Sequence, residues 1–64
     1  MNPHGFDYRW AFATGWREAV LGVAPETARE VAGRYPDLSV VEIDVYLNGV
    51  EDGKVGDRFR LDHA

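Results

Sequence analysis

The chain contains no cysteine, and at 64 residues that absence narrows what it can fold into more than any other feature. A domain this small buries only about 60% of the surface its unfolded chain exposes, and its core rarely supplies more than about 3–5 kcal/mol. Disulfides and thiolate-held zinc are the usual staples at this size, and neither can form here. Packing alone, or packing helped by a partner or a second copy, must hold a single domain over residues 1–64. Freedom from cysteine also fits a reducing compartment.

The material for a core is concentrated at one end. The stretch "FDYRWAFATGW" holds five of the eight aromatic residues: Phe6, Tyr8, Trp10, Phe12 and Trp16. Their alternation with Asp7, Arg9 and Ala11 is a strand pattern. Followed on to Leu21, a helical wheel instead gathers Tyr8, Phe12, Gly15, Trp16, Ala19 and Val20 on one face. Asp7 can cap such a helix and Gly22 can stop it. The favoured expectation is a helix over residues 8–21 with Tyr8, Phe12 and Trp16 in the core. The alternative is a strand over residues 5–12, because Gly15 weakens a helix interior by about 1 kcal/mol relative to Ala.

A second helix is expected within "APETAREVAGRYP". Pro25 suits a first turn, Glu26 and Arg34 complement the helix dipole, and Pro36 ends the segment. Thr27 reads as a helix-end residue.

The run "LSVVEIDVYLNG" alternates as a strand, with Val41, Ile43, Val45 and Leu47 on one side and Glu42, Asp44 and Tyr46 on the other. A second strand is expected within "KVGDRFRLD". A three-residue loop, Glu51-Asp52-Gly53, pairs Val45 with Phe59 and Asp44 with Arg60 and keeps apolar residues on one face. Gly49 and Gly56 then mark bulges. The expected fold is α+β, two helices packed on one face of a C-terminal antiparallel β-hairpin.

Most chemistry lacks a constellation. His4 and His63 lie near opposite termini, so no metal site is expected. Thr14, Thr27 and Ser39 have no neighbouring base, and "GVEDGKVGD" lacks the spacing and helix of a phosphate loop. The expectation is a protein that is not an enzyme and takes no cofactor. The N-terminal "MNPHGFDYRW" lacks a basic region followed by an apolar run, and no apolar stretch is long enough to span a bilayer. A soluble, cytoplasmic protein is expected.

Charge points to a partner. Eleven carboxylates against seven basic side chains give a net charge of −4. That balance disfavours direct binding of nucleic-acid phosphates and permits binding to a basic surface that itself holds nucleic acid. Carboxylates cluster on and near the expected hairpin. Trp10 falls opposite Phe12 and Trp16 on the wheel, near Arg17 and Leu21, so it is a candidate for an interface.

In its size, acidity, lack of cysteine, "AFATGWREAV" helix and acidic hairpin, the chain resembles the small inhibitors of the anti-CRISPR type made by phages and mobile elements. The resemblance implies a DNA mimic acting in the host cell on the basic groove of a defence complex. Glu42, Asp44, Glu51, Asp52 and Asp57 would serve as phosphate surrogates, with Trp10 also at the contact, or Glu26 and Glu30 of the second helix could contribute instead. A monomer or weak homodimer is expected. The alternative is a small oligomerising or antitoxin-like module using Trp10, Leu21 and a strand edge.

Overall fold

The computed structural model describes Asp7 to Asp62, with side chains through Gly56. Among these residues every regular element is a helix: α1 (Tyr8–Leu21), α2 (Ala28–Arg34) and α3 (Val40–Asp62). The expected α+β fold is overturned. A single helix runs through both segments read as strands and through the Glu51-Asp52-Gly53 loop between them. The alternative strand over residues 5–12 is also excluded where it is described, because Tyr8 onward is α1; residues 5 and 6 lie outside the described residues.

Each helix begins on a side-chain cap. Asp7 Oδ1 accepts the Trp10 N–H at 3.0 Å. Thr27 Oγ1 accepts the Glu30 N–H at 3.2 Å and donates to Glu30 Oε1 at 3.0 Å. Ser39 Oγ accepts the Glu42 N–H at 3.2 Å, while Glu42 Oε1 accepts the Ser39 N–H at 2.9 Å. The last arrangement is a capping box, in which two orphan donors of a helix start are satisfied reciprocally. α1 ends as expected on Gly22, whose φ of 76° lets the Gly22 and Val23 N–H groups close on Ala19 and Glu18. Helix α2 starts later than expected: Pro25 is buried in the preceding loop, and Thr27 takes the cap.

α3 carries two periodicities at once. Val41, Ile43, Val45 and Leu47 alternate, but Ile43, Tyr46, Leu47 and Val50 also recur at i, i+3, i+4 and i+7. Ile43, Tyr46 and Val50 are buried, and Leu47 packs against them. The helical series wins because the capping box starts it and the glycines continue it. Gly49, Gly53 and Gly56 are neither bulges nor turn residues; they sit at helical spacing inside α3.

Two of these glycines let α1 and α3 touch backbone to backbone. A Cβ added to Gly15 would lie 2.1 Å from Tyr46 O, one on Gly49 would lie 2.2 Å from Phe12 O, and one on Gly53 would lie 2.6 Å from Trp16 O. Only a hydrogen fits in each place. The Cα hydrogens therefore point at carbonyl oxygens of the other helix, contacts that recur where helices pack closely and contribute about 0.5–1 kcal/mol each. Asp7 N–H also donates to Glu42 Oε2 at 3.2 Å. Asp7 is thus level with Glu42, Phe12 with Gly49 and Trp16 with Gly53, so α1 and α3 run parallel. α2 lies in the return connection and packs along one flank of the pair. The core is Ala11, Val31, Leu38, Ile43, Tyr46 and Val50.

Candidate interaction surface

Among the described residues no pocket forms, no three metal-ligating side chains gather, and no helix is long and apolar enough to cross a membrane. What the structure offers is a part-buried polar hub and two exposed stripes.

The hub joins all three helices. Glu18 of α1 accepts the phenol protons of Tyr35, at the end of α2, and of Tyr46 on α3. Arg34 Nη1 reaches Glu18 Oε1 at 3.4 Å and Val23 O at 2.8 Å. Burial, then the hydrogen bond and charge of Glu18, push both phenols above the ordinary tyrosine value, Tyr46 by a wide margin. Tyr35 also stands edge-on to Trp10, with ring centroids 5.6 Å apart and planes at 88°. That geometry suits the opposed charge of ring face and ring edge. Trp10 is half-buried against the core of its own chain. Trp10, the candidate for an interface, is thus part-covered by its own chain, with Tyr35, just past α2, against its ring.

Glu42 is withdrawn from the surface. It is fully buried, closing the α3 capping box and accepting the Asp7 N–H. It cannot serve as a phosphate surrogate in this fold. Asp44, Glu51 and Asp52 are exposed on α3. At about 100° per residue, Glu51 falls almost directly above Asp44 and Asp52 falls about 80° to one side. The axial distance from Asp44 to Glu51 is about 10 Å. None of the three has an ion-pair partner among the described residues. Asp57 belongs to α3, but its side chain lies outside the described residues, as do His4, His63, Phe59 and Arg60. Of the alternative contact residues, Glu26 lies before α2 and is paired with Lys54 at 3.6 Å, and Glu30 of α2 is held by Thr27.

The second stripe was not expected. Tyr8, Phe12 and Trp16, read as core, are 45, 39 and 40% exposed. The buried residues of α1 are instead Ala11, Thr14 and Gly15. Where Ala11, Gly15 and Ala19 bring the backbones together, no room remains for aromatic rings between the helices. The rings are displaced to the flank of the α1–α3 pair that lies away from α2. The signal was present in the sequence: small residues at i, i+4 and i+8 mark the line of closest approach, and large neighbours one position on fall beside it. Leu21 and Val23, at the end of α1, are exposed as well.

No family model, no curated protein and no solved structure matches this chain.

Proposed function

We propose that this protein is a non-catalytic acidic interaction protein that docks on a basic, nucleic-acid-binding surface of a partner complex in the host cytoplasm. On this reading it inhibits that complex as a DNA mimic in the anti-CRISPR manner. The observation that supports it is the set of three exposed carboxylates, Asp44, Glu51 and Asp52, on one helix, with no ion-pair partner among the described residues. Carboxylates held on a helix need little ordering on binding and can make charge-assisted bonds to partner Arg and Lys. Glu42 is withdrawn from the contact set because this chain buries it, and Trp10 because this chain half-buries it against Tyr35.

The experiment is affinity capture from host extract, eluted with rising salt or with duplex DNA. The expected result is a nucleic-acid-binding complex that salt and DNA both displace, and that Glu51→Lys with Asp52→Lys no longer captures. Capture that survives high salt, or that the two substitutions leave intact, would count against mimicry. A second reading, a small oligomerising regulatory module, is favoured by the aromatic stripe, on residues other than the Trp10 and strand edge first considered.

A further inference from the structure

The stretch "NGVEDG" sets two similar dipeptides a helical turn apart, Asn48-Gly49 and Asp52-Gly53. Both lie in α3 and are arranged alike. Asn48 and Asp52 are exposed, and neither side chain has a hydrogen-bond or ion-pair partner among the described residues. Gly49 and Gly53 are buried in the seam, where an added Cβ would lie 2.2 Å from Phe12 O and 2.6 Å from Trp16 O. An Asn or Asp followed by glycine is the pair most prone to close into a ring, because no Cβ shields the glycine nitrogen and its backbone turns freely. The residue that close packing requires here is therefore also the one that makes the chain chemically labile.

We propose that Asn48 is a self-modification site gated by the α1–α3 seam: the closed seam keeps its amide intact, and the opened seam lets it convert to aspartate and isoaspartate. In that conversion the Gly49 nitrogen, losing its proton to solvent, attacks Asn48 Cγ. The N–Cγ bond forms, the Cγ–Nδ2 bond breaks, and Nδ2 leaves as ammonia. Water then adds to one carbonyl of the cyclic succinimide and splits the C–N bond there, giving Asp or isoAsp at position 48. Only water is consumed. Asp52 follows the same route with loss and return of water, so its net change is isomerisation. Within α3 the attack is blocked. The helical ψ of about −42° turns the Gly49 nitrogen out of the plane of the ring that must form, and its N–H belongs to the helical ladder. Phe12 O closes over Gly49 and prevents a local rotation. Separation of α1 from α3 releases these restraints together. Either product then resists reclosure. IsoAsp routes the main chain through the side-chain methylene, so an extra atom enters the ladder and Gly49 and Gly53 lose their shared register under Phe12 and Trp16. Asp adds a charge one turn from Asp44, Glu51 and Asp52, and like charges at that spacing disfavour a helix. The inference rests on the fold and stands apart from the proposed function.

Mass spectrometry of the full chain reads this site cleanly. The only other asparagine, Asn2, precedes Pro3, which has no N–H to attack with, and the chain has no glutamine. The protein is held in mildly alkaline buffer, folded or in concentrated guanidinium chloride, and conversion of amide to acid is timed. Enzymatic methylation of the freed α-carboxylate counts isoaspartate. Conversion is expected to be at least about tenfold slower in the folded chain, because only opened molecules react. Gly15→Ala sets a methyl 2.1 Å from Tyr46 O and leaves Asn48-Gly49 intact. It should speed conversion in buffer and leave the rate in denaturant unchanged. Gly49→Ala should slow conversion in denaturant, where the seam is absent and only the chemistry of the pair is read. If Gly15→Ala does not fold, wild type in denaturant below its unfolding transition repeats the comparison, and its rate should rise with the opened fraction. Equal rates in folded and unfolded chain, a folded rate that opening the seam does not raise, or conversion that yields no isoaspartate would overturn the proposal. Capture of a host complex bears on none of these outcomes, so this inference and the proposed function can fail separately.

Discussion

Two carboxylates, Glu42 and Asp44, stand two positions apart on α3 and meet opposite surroundings. Glu42 turns inward, where its oxygens satisfy the Ser39 and Asp7 N–H groups at two helix starts. Asp44 turns to solvent. Truncating Glu42 leaves those donors without their acceptor, so Glu42→Ala is expected to lower stability by about 2–3 kcal/mol. Asp44→Ala, away from any such feature, should stay within about 0.5 kcal/mol of wild type. Urea denaturation followed by circular dichroism compares the two, and equal effects would contradict the burial of Glu42. The distinction was legible in the sequence, because Ser39-Val40-Val41-Glu42 is a capping box. Read as a strand, the same four residues merely alternate, and Glu42 then falls on the outer face beside Asp44. One wrong period converted a structural carboxylate into a candidate contact.

At the scale of the element, α3 is unusual in carrying three glycines through its middle and later turns. Each weakens a helix interior by about 1 kcal/mol relative to Ala, and the strand reading took them as bulges and a loop residue. The offset comes from the opposing helix, which no local pattern in α3 contains. The ends and type of α1 were legible because Asp7 and Gly22 are local signals, and α2 was legible to within a turn for the same reason. The type of α3 and the outward turn of Tyr8, Phe12 and Trp16 have their signals in the capping box and in the small residues at i, i+4 and i+8, but those signals decide the fold only once Gly15, Gly49 and Gly53 meet across the seam. Two substitutions separate propensity from packing. Gly33, on α2, has open space where a Cβ would go, so Gly33→Ala is expected to stabilise the protein by about 0.5–1 kcal/mol. Gly49→Ala improves propensity equally but sets a methyl 2.2 Å from Phe12 O. α1 must move away, and a net loss of about 1–3 kcal/mol is expected. A domain of this length shifts its melting temperature by about 4–8 °C per kcal/mol, so opposite shifts should be plain by calorimetry. Stabilisation by both would mean that the seam is not closely packed.

At the scale of the molecule, α2 is short and touches α3 sparsely, and the buried Val31 and the Glu18 hub tie it to the parallel pair. The hub depends on two phenols keeping their protons. Tyr46 binds its proton more tightly in the folded chain than in the unfolded one, mainly because it is buried and then because Glu18 lies beside it; Tyr35 does so for the same reasons. Below the ordinary tyrosine pKa of about 10 both states hold these protons, and the hub contributes fully. Above it the unfolded chain releases protons that the folded chain still holds, so stability falls as pH rises toward the folded pKa. Alkaline conditions should therefore unfold the protein from about pH 10 upward. Tyr46→Phe isolates the part of this effect that belongs to Tyr46. Near neutrality it removes a hydrogen bond to a charged acceptor and should cost about 1.5–3 kcal/mol. Above pH 10 it removes a group whose deprotonation drives unfolding, so its stability curve should fall less steeply than that of wild type, and the two should converge. Denaturation midpoints measured between neutrality and strong alkali test this. Parallel curves would show that Tyr46 loses its proton as readily in the folded protein as in the unfolded chain. The hub would then join the three helices by packing alone.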